Sequence, residues 1–176
     1  MSAIYRREVR SYLCGMTGAI FMAFMLCMTG IYMTVYNLMG GYPNFEVALS
    51  GMAFVYLIAV PVLTMRSFSE EKHARTDQLL YALPLSMTSV VMAKFLAMAT
   101  ILFLPTAVIS LYPLLLATFG TVSLGSAYGA ILAFFLLGCT LVSIGMFLSS
   151  LTESQVIAAV SGVAAMLFCY LMNGIA

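Results

Sequence analysis

The 176-residue chain is 64% hydrophobic and only 7% charged, with a mean hydropathy of +1.10. Soluble domains carry about 25% charged residues, so most of this chain has lipid for its solvent. A net charge of +1, with no basic cluster free to face phosphates, excludes a nucleic-acid binder.

A spanning helix needs about 20 apolar residues. Arg6, Arg7 and Arg10 lie on a lead-in helix, residues 1–11, and a first span is expected over about 12–36. The apolar run is too long for the h-region of a signal peptide, so it reads as an uncleaved helix. Gly40, Gly41, Pro43 and Asn44 then mark a turn. A second span follows over about 47–65, with Pro61 near its end.

The character of the chain changes at Arg66. Six of the thirteen formal charges lie between Arg66 and Asp77, and the segment 66–89 is the one large charged loop. Further spans are expected over about 90–118, 128–148 and 156–172. Short polar loops part them near Gly125 and over Ser149–Gln155. The fold class is therefore all-α, a polytopic transmembrane bundle of about five spans forming one domain over residues 1–176.

All seven lysines and arginines lie before Tyr12 or between Arg66 and Lys94. The positive-inside rule places the N-terminus and the segment 66–89 in the cytoplasm. With five spans the C-terminus is expected outside.

The charged segment carries helix signals. Ser67 and Glu70 fit a capping box, and Glu71 and Arg75 form an i, i+4 pair. Thr76, Leu79, Leu80 and Leu83 make one apolar stripe, and Pro84 ends the helix. Ser86 fits as the cap of the next helix, which carries Lys94 near the interface. On physical grounds such a helix is either a passive interfacial element or a docking site for a cytoplasmic partner.

Cys14, Cys27, Cys139 and Cys169 lie in apolar runs without metal-ligand spacing and are expected to be small buried hydrophobes. His73 is the only histidine and Asp77 the only aspartate, so no intramembrane catalytic constellation is available and an enzyme is not expected. No charge lies deep in a span, which argues against an ion-coupled transporter. Thr17, Thr29, Ser110, Thr140 and Ser143 are expected at helix–helix contacts rather than on substrate. Gly125 with Gly129, and Ala158 with Gly162, permit close helix approach, though such pairs also arise by chance in a Gly- and Ala-rich chain.

The stretch Leu63–Ser86, followed by Val90-Val-Met-Ala-Lys94-Phe, resembles the membrane subunits of type-2 ABC exporters, with the gliding-motility-type permeases nearest. Glu70, Glu71, Lys72, Thr76, Leu79, Leu80, Pro84, Ser86 and Lys94 occupy the positions of that family's charged-loop motif. Tyr5–Leu13 and Leu148–Gln155 resemble it more weakly. Arg75 and Gln78 depart from the family's Gly and Glu. These permeases usually have six spans, so the last span is expected to be missing here, by truncation or by nature.

The resemblance implies a permease subunit in a bacterial cytoplasmic membrane, driven by a separate ABC ATPase. Glu70, Glu71, Lys72, Thr76, Asp77, Leu79 and Leu80 would form the coupling helix on which that ATPase docks. ATP and Mg²⁺ would sit on the ATPase, since this chain has no G-x-x-x-x-G-K-[ST] loop. A second permease copy or paralogue would complete the assembly. The alternative is a non-transporting scaffold or immunity-type membrane protein of permease-like shape.

Overall fold

A computed structural model describes residues 2–42, 44–65, 67, 87–118, 122–152 and 154–175. All its regular structure is helical among the described residues, and five helical segments are long and apolar enough to cross a membrane. The chain is a polytopic helical bundle.

Helix α1 (Ser2–Cys14) precedes the first span, α2 (Met16–Tyr32), which continues as a wider π-helical stretch, Met33–Met39. Gly15 separates α1 from α2 in an extended conformation. The first crossing therefore begins at Met16 rather than near Tyr12. A Cβ on Gly18 would collide with the Tyr12 carbonyl oxygen, so the tight corner requires glycine there. Apolar residues continue across this corner, which is why hydropathy runs straight through it.

The second span is α3 (Phe45–Thr64). The third is α4 (Met87–Ile109), broken at Ser110–Leu111 before the short α5 (Tyr112–Ala117). Pro113 lacks an N–H and cannot continue the ladder of α4, so the 90–118 run is two helices. Helix α6 (Leu124–Leu151) and helix α7 (Gln155–Ile175) complete the described chain.

Helix α3 sits at the centre. Met52, Tyr56, Val60 and Leu63 are buried along it, against Met98, Ile101 and Leu102 of α4 and Phe134 and Val142 of α6. Tyr56 stacks on Phe134 with ring centroids 4.2 Å apart and planes at 12°. Lipid does not drive helices together by hydrophobicity, so such packing carries the association. Gly145 of α6 packs directly on the Thr64 side chain, and Gly162 of α7 lies against Pro61. Gly125 and Gly129, by contrast, have no neighbour within 4 Å beyond their own helix, so that pair brings no described helices together.

Large apolar side chains also face outward: Phe24, Ile58, Phe103, Leu132 and Phe168 are all exposed. In water this surface would drive aggregation; in lipid it is the favourable outer face. Cys14, Cys27 and Cys169 share it, and Cys139 is half-exposed, so the cysteines are not buried as composition suggested. A thiol behaves as a small hydrophobe, and lipid accepts it as readily as a core does.

At the end of the first span, the Gly40 N–H bonds the Val35 carbonyl across five residues, and Tyr32 stacks on Tyr36. Asn37, buried, donates through Nδ2 to the carbonyls of Tyr42 (2.8 Å) and Asn44 (3.1 Å). Gly41 turns the chain at φ +68°. Glu46 of α3 accepts a hydrogen bond from Ser126 of α6, joining the first turns of two helices at this end of the bundle.

Candidate functional site

Glu70, Glu71, Lys72, Thr76, Asp77, Leu79 and Leu80, the expected coupling residues, lie outside the described residues, as does the helix expected to carry them. What is described is how the two roots of that segment are held. One root is the end of α3 with Met65 and Ser67; the other is the first turns of α4.

Lys94 joins them. It lies in the second turn of α4 and is only 2% exposed. Its Nζ donates to the Ser67 carbonyl at 2.5 Å and lies 4.0 Å from Oε1 of Glu8 on α1. A buried ammonium costs several kcal/mol unless it is paired and hydrogen-bonded, on the order of what these two partners supply. The structure folds Lys94 inward, because a carboxylate and a carbonyl converge on it.

Two further contacts tie the neighbourhood. The Ser149 hydroxyl, fully buried near the end of α6, donates to the Met65 carbonyl at 3.3 Å. Tyr5 of α1 and Thr100 of α4 share a hydrogen bond of 2.8 Å between their hydroxyls. Four helices, α1, α3, α4 and α6, therefore meet where the charged segment leaves and re-enters the bundle. The roots of that segment, at the end of α3 and on α4, are thus bonded to α1 and α6.

Of the hydroxyl residues expected at helix–helix contacts, Thr29 is fully buried in the bundle, Ser110 is half-buried, and Thr140 and Ser143 are exposed. Thr29, Ser110, Thr140 and Ser143 each donate to a carbonyl of their own helix three or four residues back. Lipid offers no acceptor, so the local backbone satisfies them. No group of three His, Cys, Asp or Glu residues close enough to hold a metal ion occurs among the described residues.

Sequence reasoning missed Glu8, the Ser67 carbonyl and Ser149. The available signal was weak but real. Glu8 is a lone acid among three arginines, and Lys94 is a lone charge in an otherwise apolar helix. Two isolated opposite charges flanking apolar runs are candidates to find each other.

The family model described as ABC-2 family transporter protein matches residues 44–176. No curated protein and no solved structure matches the chain.

Proposed function

The chain belongs to the ABC-2 family of transporter proteins, and from that premise we propose that it is the permease subunit of an exporter driven by a separate ATPase. Membership makes it an integral membrane permease component of an ABC transporter. The rest of this reading concerns how it is driven and which way it faces.

The segment 66–89 would carry the coupling helix. Leu79 and Leu80 fill an apolar cleft on the ATPase, while Glu70, Glu71, Lys72, Thr76 and Asp77 set the register. ATP and Mg²⁺ sit on the ATPase, and a second permease copy or paralogue supplies the other half of the path. The N-terminus and this segment face the cytoplasm of a bacterial inner membrane, as the lysine and arginine distribution favours.

The observation that carries the reading is the Lys94 junction. It supports the reading because it bonds the two roots of the segment, beside α3 and on α4, to α1, so that a movement of the segment would reach all three helices.

Gentle detergent extraction of the tagged chain from its own membranes, with mass identification of what stays bound, tests this. A stoichiometric P-loop ATPase is expected. Leu79→Asp with Leu80→Asp should release it while the spans remain folded. A folded, abundant chain without an ATPase, or an ATPase indifferent to that double substitution, overturns the coupling assignment; the former result favours the scaffold or immunity-type alternative.

A further inference from the structure

We propose that Tyr56 of α3 and Thr106 of α4 form a latch between the second and third spans, open in this structure and closed when α4 bends at Pro105. Tyr56 is the twelfth of the twenty residues of α3, so it lies about half way through the membrane. It has no exposed surface, and its hydroxyl makes no hydrogen bond among the described residues. An orphaned hydroxyl in an apolar interior is costly, and lipid offers it no partner. A phenylalanine would fill the same space without that cost. A second arrangement of the bundle, in which the hydroxyl meets a partner, removes it.

The partner is at hand. Thr106 is buried, and its hydroxyl lies beside that of Tyr56 without bonding it. The Thr106 proton is given to the Leu102 carbonyl at 2.8 Å, while the Thr106 oxygen keeps lone pairs with which to accept. The Tyr56 O–H is a donor without an acceptor, so the two groups are complementary. The phenol itself has little freedom. Its ring stacks on Phe134, and its oxygen would lie 3.2 Å from a Cβ on Gly138, close against α6. Closing the gap falls to Thr106.

Helix α4 has the freedom to do so. Pro105 brings no N–H to the Ile101 carbonyl, so the ladder lacks one bond in the turn before Thr106. Just beyond Thr106 the helix breaks, at Ser110–Leu111. Helix α3 is braced instead. Its own proline, Pro61, seats against Gly162 of α7, and Thr64 against Gly145 of α6. Met52 and Val60 of α3 and Met98, Ile101 and Leu102 of α4 are all buried apolar residues, which have no directional bonds to break when the helices shift. One interhelical hydrogen bond then weighs roughly 3- to 20-fold in the ratio of closed to open latch.

The latch lies between the two helices that flank the segment 66–89. It rests on the packing of α3 and α4 and not on ATPase coupling, so its failure leaves the coupling reading untouched. The test uses the full chain in lipid nanodiscs. The chain has ten tyrosines, so 3-fluorotyrosine is placed at position 56 alone. Its fluorine resonance is followed by saturation transfer, which reveals a minor state in exchange with the main one.

Two exchanging signals are expected. Thr106→Val keeps the shape and removes the acceptor, so the minor signal should fall roughly 3- to 20-fold while the main one keeps its position. Thr106→Ser should retain both. Pro105→Ala returns an N–H to the ladder without touching either hydroxyl, and should weaken the minor signal too. A single signal in the parent would overturn the proposal, leaving the hydroxyl orphaned. A minor signal indifferent to Thr106→Val would overturn it as well, showing that the partner is another group or a trapped water. If the valine variant does not fold, Pro105→Ala decides alone: an unchanged minor signal removes the hinge and with it the latch.

Discussion

The Lys94 ammonium lies 4.0 Å from the Glu8 carboxylate, joining the third span to the helix that precedes the first. The ammonium is buried and also holds the Ser67 carbonyl. Lys94→Ala removes a cation that two acceptors face. It should destabilise the bundle by about 3 kcal/mol, the scale of breaking a buried pair. Lys94→Met with Glu8→Gln should cost less than the sum of the two single changes, because neither leaves a buried charge behind. Thermal melting of the detergent-solubilised chain across this double-mutant cycle checks the prediction. Additivity would show that the two residues do not act on each other.

Gly145 of α6 is fixed by Thr64 of α3. A Cβ at Gly145 would run into the Thr64 hydroxyl and its β-carbon, and a β-branched side chain has little freedom to turn aside. Gly145→Val should cost about 1–3 kcal/mol by overpacking, and Thr64→Ala should recover part of it. Gly129→Ala, where nothing lies within 4 Å, should be neutral. Melting temperatures of the three variants separate a packing glycine from an incidental one.

The five spans were legible because hydropathy records which solvent a segment meets, and lipid demands long apolar runs. Contacts between spans were not legible, because a membrane bundle packs by shape and apolar residues look alike on either face. Gly125 with Gly129 has the Gly-x-x-x-Gly spacing and an open surface, while Gly145, whose partner at that spacing is Ser149 rather than a glycine, has a tight neighbour. The corner at Gly15 was hidden for a related reason: its flanking residues are apolar, and only geometry shows the turn. The junction at Lys94 was half legible. The lone lysine stood out, but its partner Glu8 is distant in sequence and reads as one more charge on a basic helix. The expected coupling residues from Glu70 to Leu80 rest on the resemblance and on helix signals, and the structure does not describe them.

Asn37 holds the loop after the first span through two bonds from one amide nitrogen. Both acceptors are backbone carbonyls that close the turn between the π-helical stretch and α3. Asn37→Leu keeps the volume and removes both donors. It should cost about 1–3 kcal/mol, since each carbonyl loses its partner at a partly buried site. The loss should be local. Hydrogen exchange is expected to accelerate over Gly40–Val47 while α4 and α6 keep their protection. A uniform change across all spans would contradict a role confined to the loop.

The bundle has two ends of different chemistry. Glu8, Met65, Ser67, Lys94 and Ser149 gather at one, and Asn37, Glu46 and Ser126 at the other. Every lysine and arginine belongs to the first end or to the segment leaving it. By the positive-inside rule that end is expected to face the cytoplasm. With the four native cysteines replaced by alanine, Tyr42→Cys should react with a membrane-impermeant thiol reagent in intact cells. Tyr42 is 57% exposed in the loop at the second end. Ser11→Cys, exposed on α1, should react only after the membrane is opened. The reverse pattern would invert the orientation, and the segment 66–89 would then be unable to meet a cytoplasmic ATPase.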